Sequence, residues 1–244
     1  GTAPMSFVAC SDWLADIARR APLLKGRPVH SIPNPIDIAF FVSQDKVKAR
    51  QALGLPLDKK ILLFVAYKAT DPNKGIQYLR QALEQLHESN GAWTEQLALV
   101  PVGKEASTLQ GTFPCALFPQ EYVNSEETMR RLYDAADVLL MPTLMDNLPN
   151  TVVEAMACST PCVAFNVGGL PQMIIPGVDG YLARYKDAAD LAEGIKAVLS
   201  SPNYPEMAKA AREKAVSTYS EAAVAQRFIA LYENLLSPQS EVGE

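Results

Sequence analysis

The stretch VLLMPTLMDNLPNTVVEAMACSTPCVAF, residues 138–165, decides the fold. Val138–Met141 is a short apolar run and Pro161–Phe165 is another; both read as buried strands. Between them Pro149 suits the first turn of a helix, with Asp146 or Asn147 as a candidate cap. Strand, helix, strand in so few residues is a parallel crossover unit. Working outward, Ile61–Tyr67, Gln96–Val102 and Ala116–Phe118 repeat the strand signal. Helical spacing recurs at Ile76, Leu79, Leu83 and Leu86, at Met129, Leu132, Tyr133 and Ala136, and at Leu191, Ile195, Val198 and Leu199. The fold class that follows is α/β: a doubly wound parallel sheet with helices on both faces, whose ligands bind at the carboxyl ends of the strands.

The flanks are different. Ser11 is expected to cap a helix running to about Leu24, Val29–Pro33 reads as a strand, and Gln44–Leu53 as a polar helix. Glu206–Thr218 and Ser220–Leu236 read as consecutive helices, followed by a tail, Ser237–Glu244, expected to fray. Val224, Phe228, Leu231 and Leu235 form a stripe on the last helix. Val224, Phe228 and Leu231 are expected to leave an apolar patch that a dimer would cover.

Composition narrows the function. The chain has 244 residues, 48% hydrophobic and 20% charged, with a net charge of −5. It carries no basic block and no apolar run near the ~20 residues of a membrane span, so broad nucleic-acid binding and a transmembrane segment are not expected. Cys10, Cys115, Cys158 and Cys162 read as reduced thiols of a cytoplasmic protein. With only His30 and His87 as histidines, neither near the cysteines, no metal site is expected.

Three loops leave carboxyl ends of strands. The first holds Lys68 and Lys74 before Gly75; lysines beside the free N–H groups of a helix start favour an anion. A solvated loop with a turn glycine fits the same residues. The second holds Asp146 and, inside the following helix, Glu154. A carboxylate among Val152, Val153, Ala155 and Met156 needs a polar partner if buried, and a ribose diol is a good one; a cap at Asp146 and an exposed Glu154 is the plain alternative. The third is Asn166–Gln172, where Gly168-Gly169 permits either close ligand approach or a simple turn. The pattern is not G-x-G-x-x-G, which argues against a dehydrogenase. Together the loops converge on a phosphorylated, hydroxyl-rich ligand such as a nucleotide sugar.

At these residues the chain resembles the carboxyl-terminal, donor-binding half of a glycosyltransferase family 4 enzyme of the GT-B architecture. The resemblance runs from about Phe7 to Leu236 and is carried by DNLPNTVVEAMACSTPCVAFNVGGLPQM (146–173), IPNPID (32–37), YDAADVLLMP (133–142) and GVDGYL (177–182). It implies a UDP- or GDP-sugar as substrate, with no further cofactor. It places Asp146 at the donor sugar, Glu154 on the ribose and Lys68 and Lys74 on the diphosphate. Backbone amides of Asn147, Leu148, Asn150 and Thr151 would complete the cradle, with the base near Glu121, Tyr122 and Val123. Lys68 stands where arginine is usual, turning a two-point clamp into a point charge; Tyr67 and Glu121 stand where glycines are usual, and Asp146 where a glutamate is.

The resemblance further implies a hexosyltransferase that retains anomeric configuration, serving bacterial surface polysaccharide synthesis on a glycan or lipid-linked acceptor. Cations take the place of a metal in this reading. Residues 1–30 would be the last strand–helix of an amino-terminal acceptor domain, 31–218 the donor domain, and 219–244 a crossover helix and tail. The missing half would supply acceptor binding and any peripheral contact with the inner face of a membrane, and the chain alone would be inactive. Alternatives from other classes are a nucleotide-sugar binding module without turnover and a GT-B-fold nucleotide-sugar epimerase.

Overall fold

The structure, a computed structural model, describes residues 5–237. In chain order the elements are β1 (Phe7–Ala9), α1 (Asp12–Arg20), β2 (Val29–Ser31), α2 (Lys46–Ala52), β3 (Lys60–Lys68), α3 (Ile76–Ser89), α4 (Gly91–Thr94), β4 (Leu97–Lys104) and β5 (Ala116–Leu117). They continue with α5 (Glu126–Ala135), β6 (Val138–Met141), α6 (Asn150–Ala157), β7 (Cys162–Phe165), α7 (Leu170–Met173), β8 (Gly180–Ala183), α8 (Ala188–Leu199), α9 (Tyr204–Lys214) and α10 (Glu221–Leu236).

Strands β3 to β8 form one sheet in the order β5-β4-β3-β6-β7-β8, and every pairing is parallel. The expected doubly wound α/β architecture is therefore present. Along β3 the apolar run is continuous because both faces are covered. Ile61 and Leu63 enter the core shared with α2, α5 and α6, while Leu62 and Phe64 enter the core shared with α3 and α8. The chain winds outward through β3, β4 and β5, then returns to place β6 beside β3. The helices that follow β3 and β6, α3 and α6, thus lie on opposite faces, and a crevice opens at the carboxyl edge where the two crossovers part. Asp137 pins this central pair: its carboxylate accepts the Ile61 N–H at 2.7 Å and the buried Arg50 guanidinium at 2.7 Å.

Several boundaries differ from the sequence expectations. Helix α1 stops at Arg20 and a separate 3-10 turn, Pro22–Leu24, follows, because proline lacks an N–H and keeps Ala21 extended. Strand β8 was not anticipated; its four residues at the sheet edge are too few to show alternation. Helix α9 ends at Lys214 and passes into a π-helical turn, Ala215–Tyr219. The apolar patch expected on α10 is not at Val224, Phe228 and Leu231. Val224 and Leu231 are buried with Phe228 against Ile32, and the exposed apolar side chains there are Ile229, Tyr232, Leu235 and Leu236. The expected fraying tail lies almost wholly outside the described residues. β1 and β2 form a separate parallel pair bridged by α1.

Candidate functional site

The site is built where the β3 and β6 loops meet. Asp71 accepts the Asn73 N–H at 2.9 Å and shapes the turn after β3. Gly75 then adopts φ 76°, and its α-carbon lies so near the β6 exit that an added Cβ would stand 1.8 Å from the Pro142 carbonyl oxygen. The Asn73 carbonyl accepts the Leu144 N–H at 2.8 Å, which ties the loops together. The result brings Lys74 Nζ to 2.9 Å from Asp146 Oδ2. From the far side the β7 loop supports Asp146. Gly168 (φ 60°) and Gly169 sit so close that a Cβ on either would lie 1.8 Å from the carbonyl oxygen of Asp146 or Asn147, respectively. The sequence offers a close ligand approach or a simple turn for this glycine pair; what the structure shows is a close approach to the backbone of the acid loop.

A crevice of about 450 Å3 opens here, lined by Tyr67, Lys74, Asp146, Leu148, Asn150 and Thr151 among others. Helix α6 starts at its edge with Pro149 preceding it and no side chain capping it, so its first N–H groups are available to an anion. The Thr151 hydroxyl is buried beside the crevice without a partner among the described residues, an oxygen that a ligand or a water would satisfy.

Glu154 lies one turn beyond Asn150 and Thr151 on the same face of α6. Its Oε2 accepts the hydroxyl of Tyr133 at 2.6 Å. Burial pushes the Glu154 carboxyl above the usual range, partly offset by that hydrogen bond. The sequence places Tyr133 on the apolar stripe of α5; the wholly buried ring belongs there, and its hydroxyl is the partner that sequence reasoning missed.

Other expected residues are placed differently. Lys68 does not line the crevice: its Nζ is 2.8 Å from Glu105 Oε1, and Glu105 Oε2 accepts the Thr70 hydroxyl at 2.5 Å. Glu121 accepts the backbone N–H groups of Glu105 and Ser107, at 3.1 and 3.0 Å, and so holds that loop. Tyr122 does not line the crevice; its ring meets Tyr67 edge-on at 5.4 Å, while Lys104 lies over the Tyr67 ring at 4.3 Å and bonds its hydroxyl. The Asn147 N–H closes onto Asp146 Oδ1 at 3.0 Å, so it does not join the free amides, and its side chain turns toward Ser11 and Cys10.

A larger groove, about 540 Å3, lies between α2 and α5. Its acids are already engaged: Asp134 by the Ser43 hydroxyl and the Gln44 and Asp45 amides, and Glu127 by Arg130 and Arg131. Among the described residues no three His, Cys, Asp or Glu side chains gather as metal ligands, and no helix is long and apolar enough to cross a membrane. Burial pushes the Cys115 thiol up to about 11 and the Cys158 thiol up to about 12.

Comparison with known proteins agrees with this geometry. The family model described as glycosyl transferases group 1 matches residues 59–201, more than half of the chain. The chain is 31% identical over 185 residues to a D-inositol 3-phosphate glycosyltransferase of Catenulispora acidiphila, covering 71% of this chain and 44% of that one. It is 33% identical over 174 residues to the protein of the same description from Mycolicibacterium smegmatis, covering 67% of this chain and 38% of that one. The chain thus spans less than half the length of these curated relatives. Among solved structures, sucrose-phosphate synthase from Thermosynechococcus elongatus aligns with a TM-score of 0.77 at 26% identity, over 94% of this chain and 58% of that one. Anabaena HepE in complex with UDP aligns with a TM-score of 0.75 at 20% identity, over 93% and 63%, a likeness of fold. A lysine–aspartate pair and an open helix start at the switch point of a doubly wound sheet, within a matched segment of this length, lead to one assignment: the chain belongs to glycosyl transferases group 1, as a domain of the GT-B architecture.

Proposed function

We propose that this chain is the donor-binding part of a retaining, family 4-type hexosyltransferase that moves a sugar from a UDP- or GDP-sugar to a glycan or lipid-linked acceptor. The observation that carries the reading is the Lys74–Asp146 pair at the crevice mouth, with the open α6 start beside it and Glu154 following on the same helix face. The diphosphate sits over Lys74 and the amides of Leu148, Asn150 and Thr151, with Lys68 joining once it leaves Glu105. Glu154 accepts the ribose hydroxyls through the oxygen that Tyr133 does not occupy. The base packs toward Tyr67 and Tyr122, and Asp146 faces the donor sugar.

In the reaction the bond from the anomeric carbon to the β-phosphate oxygen breaks and its electrons stay on the diphosphate. The acceptor oxygen forms the new bond on the same face, and its proton passes to the leaving phosphate. Lys74 and the helix amides stabilise the charge that grows on the diphosphate, which is electrostatic catalysis without a metal. Residues 31–218 serve as the donor domain, residues 1–30 as the edge of an acceptor domain, and 219–244 as a crossover helix and tail. The remaining acceptor domain supplies acceptor contacts and any contact with the inner face of a membrane. The site of action is the cytoplasm and the pathway is surface polysaccharide synthesis.

A thermal-shift panel of UDP-, GDP- and ADP-sugars tests the donor reading. One of the first two should raise the Tm well above the others, and no shift with any of them would remove the reading. Glu154→Gln tests the ribose contact. It should weaken UDP or GDP about 10-fold by removing charged hydrogen bonds, while leaving free pyrophosphate within about 2-fold. Equal losses for nucleotide and pyrophosphate would exclude the ribose role.

Glu154 also sets a pH dependence. Burial raises its folded-state pKa, so between the unfolded and folded values the native state binds more protons than the unfolded chain. Stability from this group is present at low pH and falls as pH rises through that window. Ribose hydroxyls favour the charged form, so nucleotide binding should release a proton and strengthen as pH rises through the same window. Calorimetry in buffers of different ionisation enthalpy reads that proton, and its persistence in Glu154→Gln would assign it elsewhere.

A further inference from the structure

Asn147 directly follows the acid at the crevice mouth, yet its side chain turns away from the crevice. Its N–H donates to Asp146 Oδ1 at 3.0 Å. Its Oδ1 accepts the hydroxyl of Ser11, and its Nδ2 donates to Cys10 Sγ at 3.0 Å. Ser11 is fully buried and also caps α1, accepting the Leu14 N–H at 3.0 Å. One hydroxyl thus accepts from the helix and donates to Asn147, and so links the two. Nearby, Gln172 Oε1 accepts the Asp12 N–H at 2.7 Å. A Cβ on Gly169 would lie 1.8 Å from the Asn147 carbonyl oxygen and 3.4 Å from Ser11 Cβ, so three chain segments meet here without slack. On the other side Asp146 Oδ2 holds Lys74 at 2.9 Å.

The hydrogen bonds therefore form one line: Leu14 to Ser11, Ser11 to Asn147, Asn147 to Asp146, Lys74 to Asp146. We infer that Asn147 is a positioning residue that ties the β1–α1–β2 unit to the orientation of Asp146, so that the placement of α1 sets how well the crevice holds its donor. The inference rests on the donor-site reading above. A displacement of α1 carries Ser11 with it. Asn147 transmits that displacement through a single residue to the carboxylate that partners Lys74. A purely structural pin would stabilise the fold and leave donor affinity alone, which separates the two roles.

The test has two arms on the full chain. The first is hydrogen exchange without ligand. Ser11→Ala should deprotect residues 144–148, and Asn147→Ala should deprotect residues 11–15, because each loses the other's hydrogen bond. Changes confined to the mutated segment would overturn the link. The second is calorimetric titration with UDP and GDP. Each single variant should weaken the nucleotide that the wild type binds by about 3- to 10-fold, and the double variant should be no weaker than the worse single, since coupled sites are non-additive. Lowered Tm with unchanged affinity, or losses that multiply in the double variant, would overturn the positioning role. If the wild type binds neither nucleotide, the donor reading falls by itself, and the exchange arm still decides whether the link exists.

Discussion

Gly75→Ala is expected to abolish nucleotide binding and to lower the Tm by roughly 6–12 °C, the consequence of losing about 3 kcal/mol or more. Two effects add. At φ 76° an L-residue carries the left-handed penalty of about 1–2 kcal/mol. The larger effect is steric: the new Cβ would stand 1.8 Å from the Pro142 carbonyl oxygen and 2.7 Å from its carbonyl carbon. Both are backbone atoms, so no side-chain rotation relieves the overlap, and either the β3 loop or the β6 exit must move. The Gly75 carbonyl also accepts the N–H groups of Tyr78 and Leu79, so the shift reaches the first turn of α3. Lys74 would move away from Asp146. Gly54→Ala is the control, with φ 65° but nothing within 4 Å of the added Cβ. It should show the left-handed penalty alone, a drop of about 2–8 °C, and leave nucleotide affinity unchanged. Thermal unfolding and calorimetry of the two variants decide the matter; equal behaviour would mean that the contact with Pro142 does not shape the site.

What was legible in the sequence follows the range of the interaction involved. The sheet was legible because a strand covered on both faces must be apolar at nearly every position, and Ile61–Phe64 and Val138–Met141 are. The crevice was legible as a place, because strand ends followed by Lys68, Lys74 and Asp146 fall at one edge of such a sheet. Partners were not. Whether Lys68 faces a phosphate or Glu105 depends on how two loops close on each other, and no local pattern encodes that. Tyr133 scores as core because its ring is core; only the three-dimensional placement of α5 against α6 reveals that its hydroxyl serves Glu154. Ser11 is readable as a helix cap from its neighbours, but its second bond, to Asn147, spans most of the chain. The stripe on α10 was legible as amphipathic. Its cover, Ile32, comes from a segment far away in sequence, so Val224 and Leu231 looked exposed when they are buried, while Leu235 of the same stripe stays exposed.

Lys74→Ala is expected to weaken UDP or GDP by about 10- to 100-fold, the equivalent of roughly 1.5–3 kcal/mol for a charge-assisted hydrogen bond to phosphate. Lys68→Ala should cost only about 3-fold or less. The two lysines look equivalent in sequence, and burial separates them. Lys74 and Asp146 are 30% and 19% exposed, so their charges act in a less screened setting and are already aimed into the crevice. Lys68 and Glu105 are each 48% exposed, where an ion pair has little net effect and water competes for the ammonium. Lys68 must also leave Glu105 before it can meet a phosphate. Removing Lys74 has a second consequence: the Asp146 carboxylate loses its counter-ion, and its field then opposes an incoming diphosphate. Asp146→Asn in the Lys74→Ala background should therefore recover part of the lost affinity. A Lys74→Ala variant that binds as tightly as wild type, or a Lys68→Ala variant that loses more, would mean that the diphosphate lies nearer the Glu105 loop than the α6 start and would move the site one loop outward.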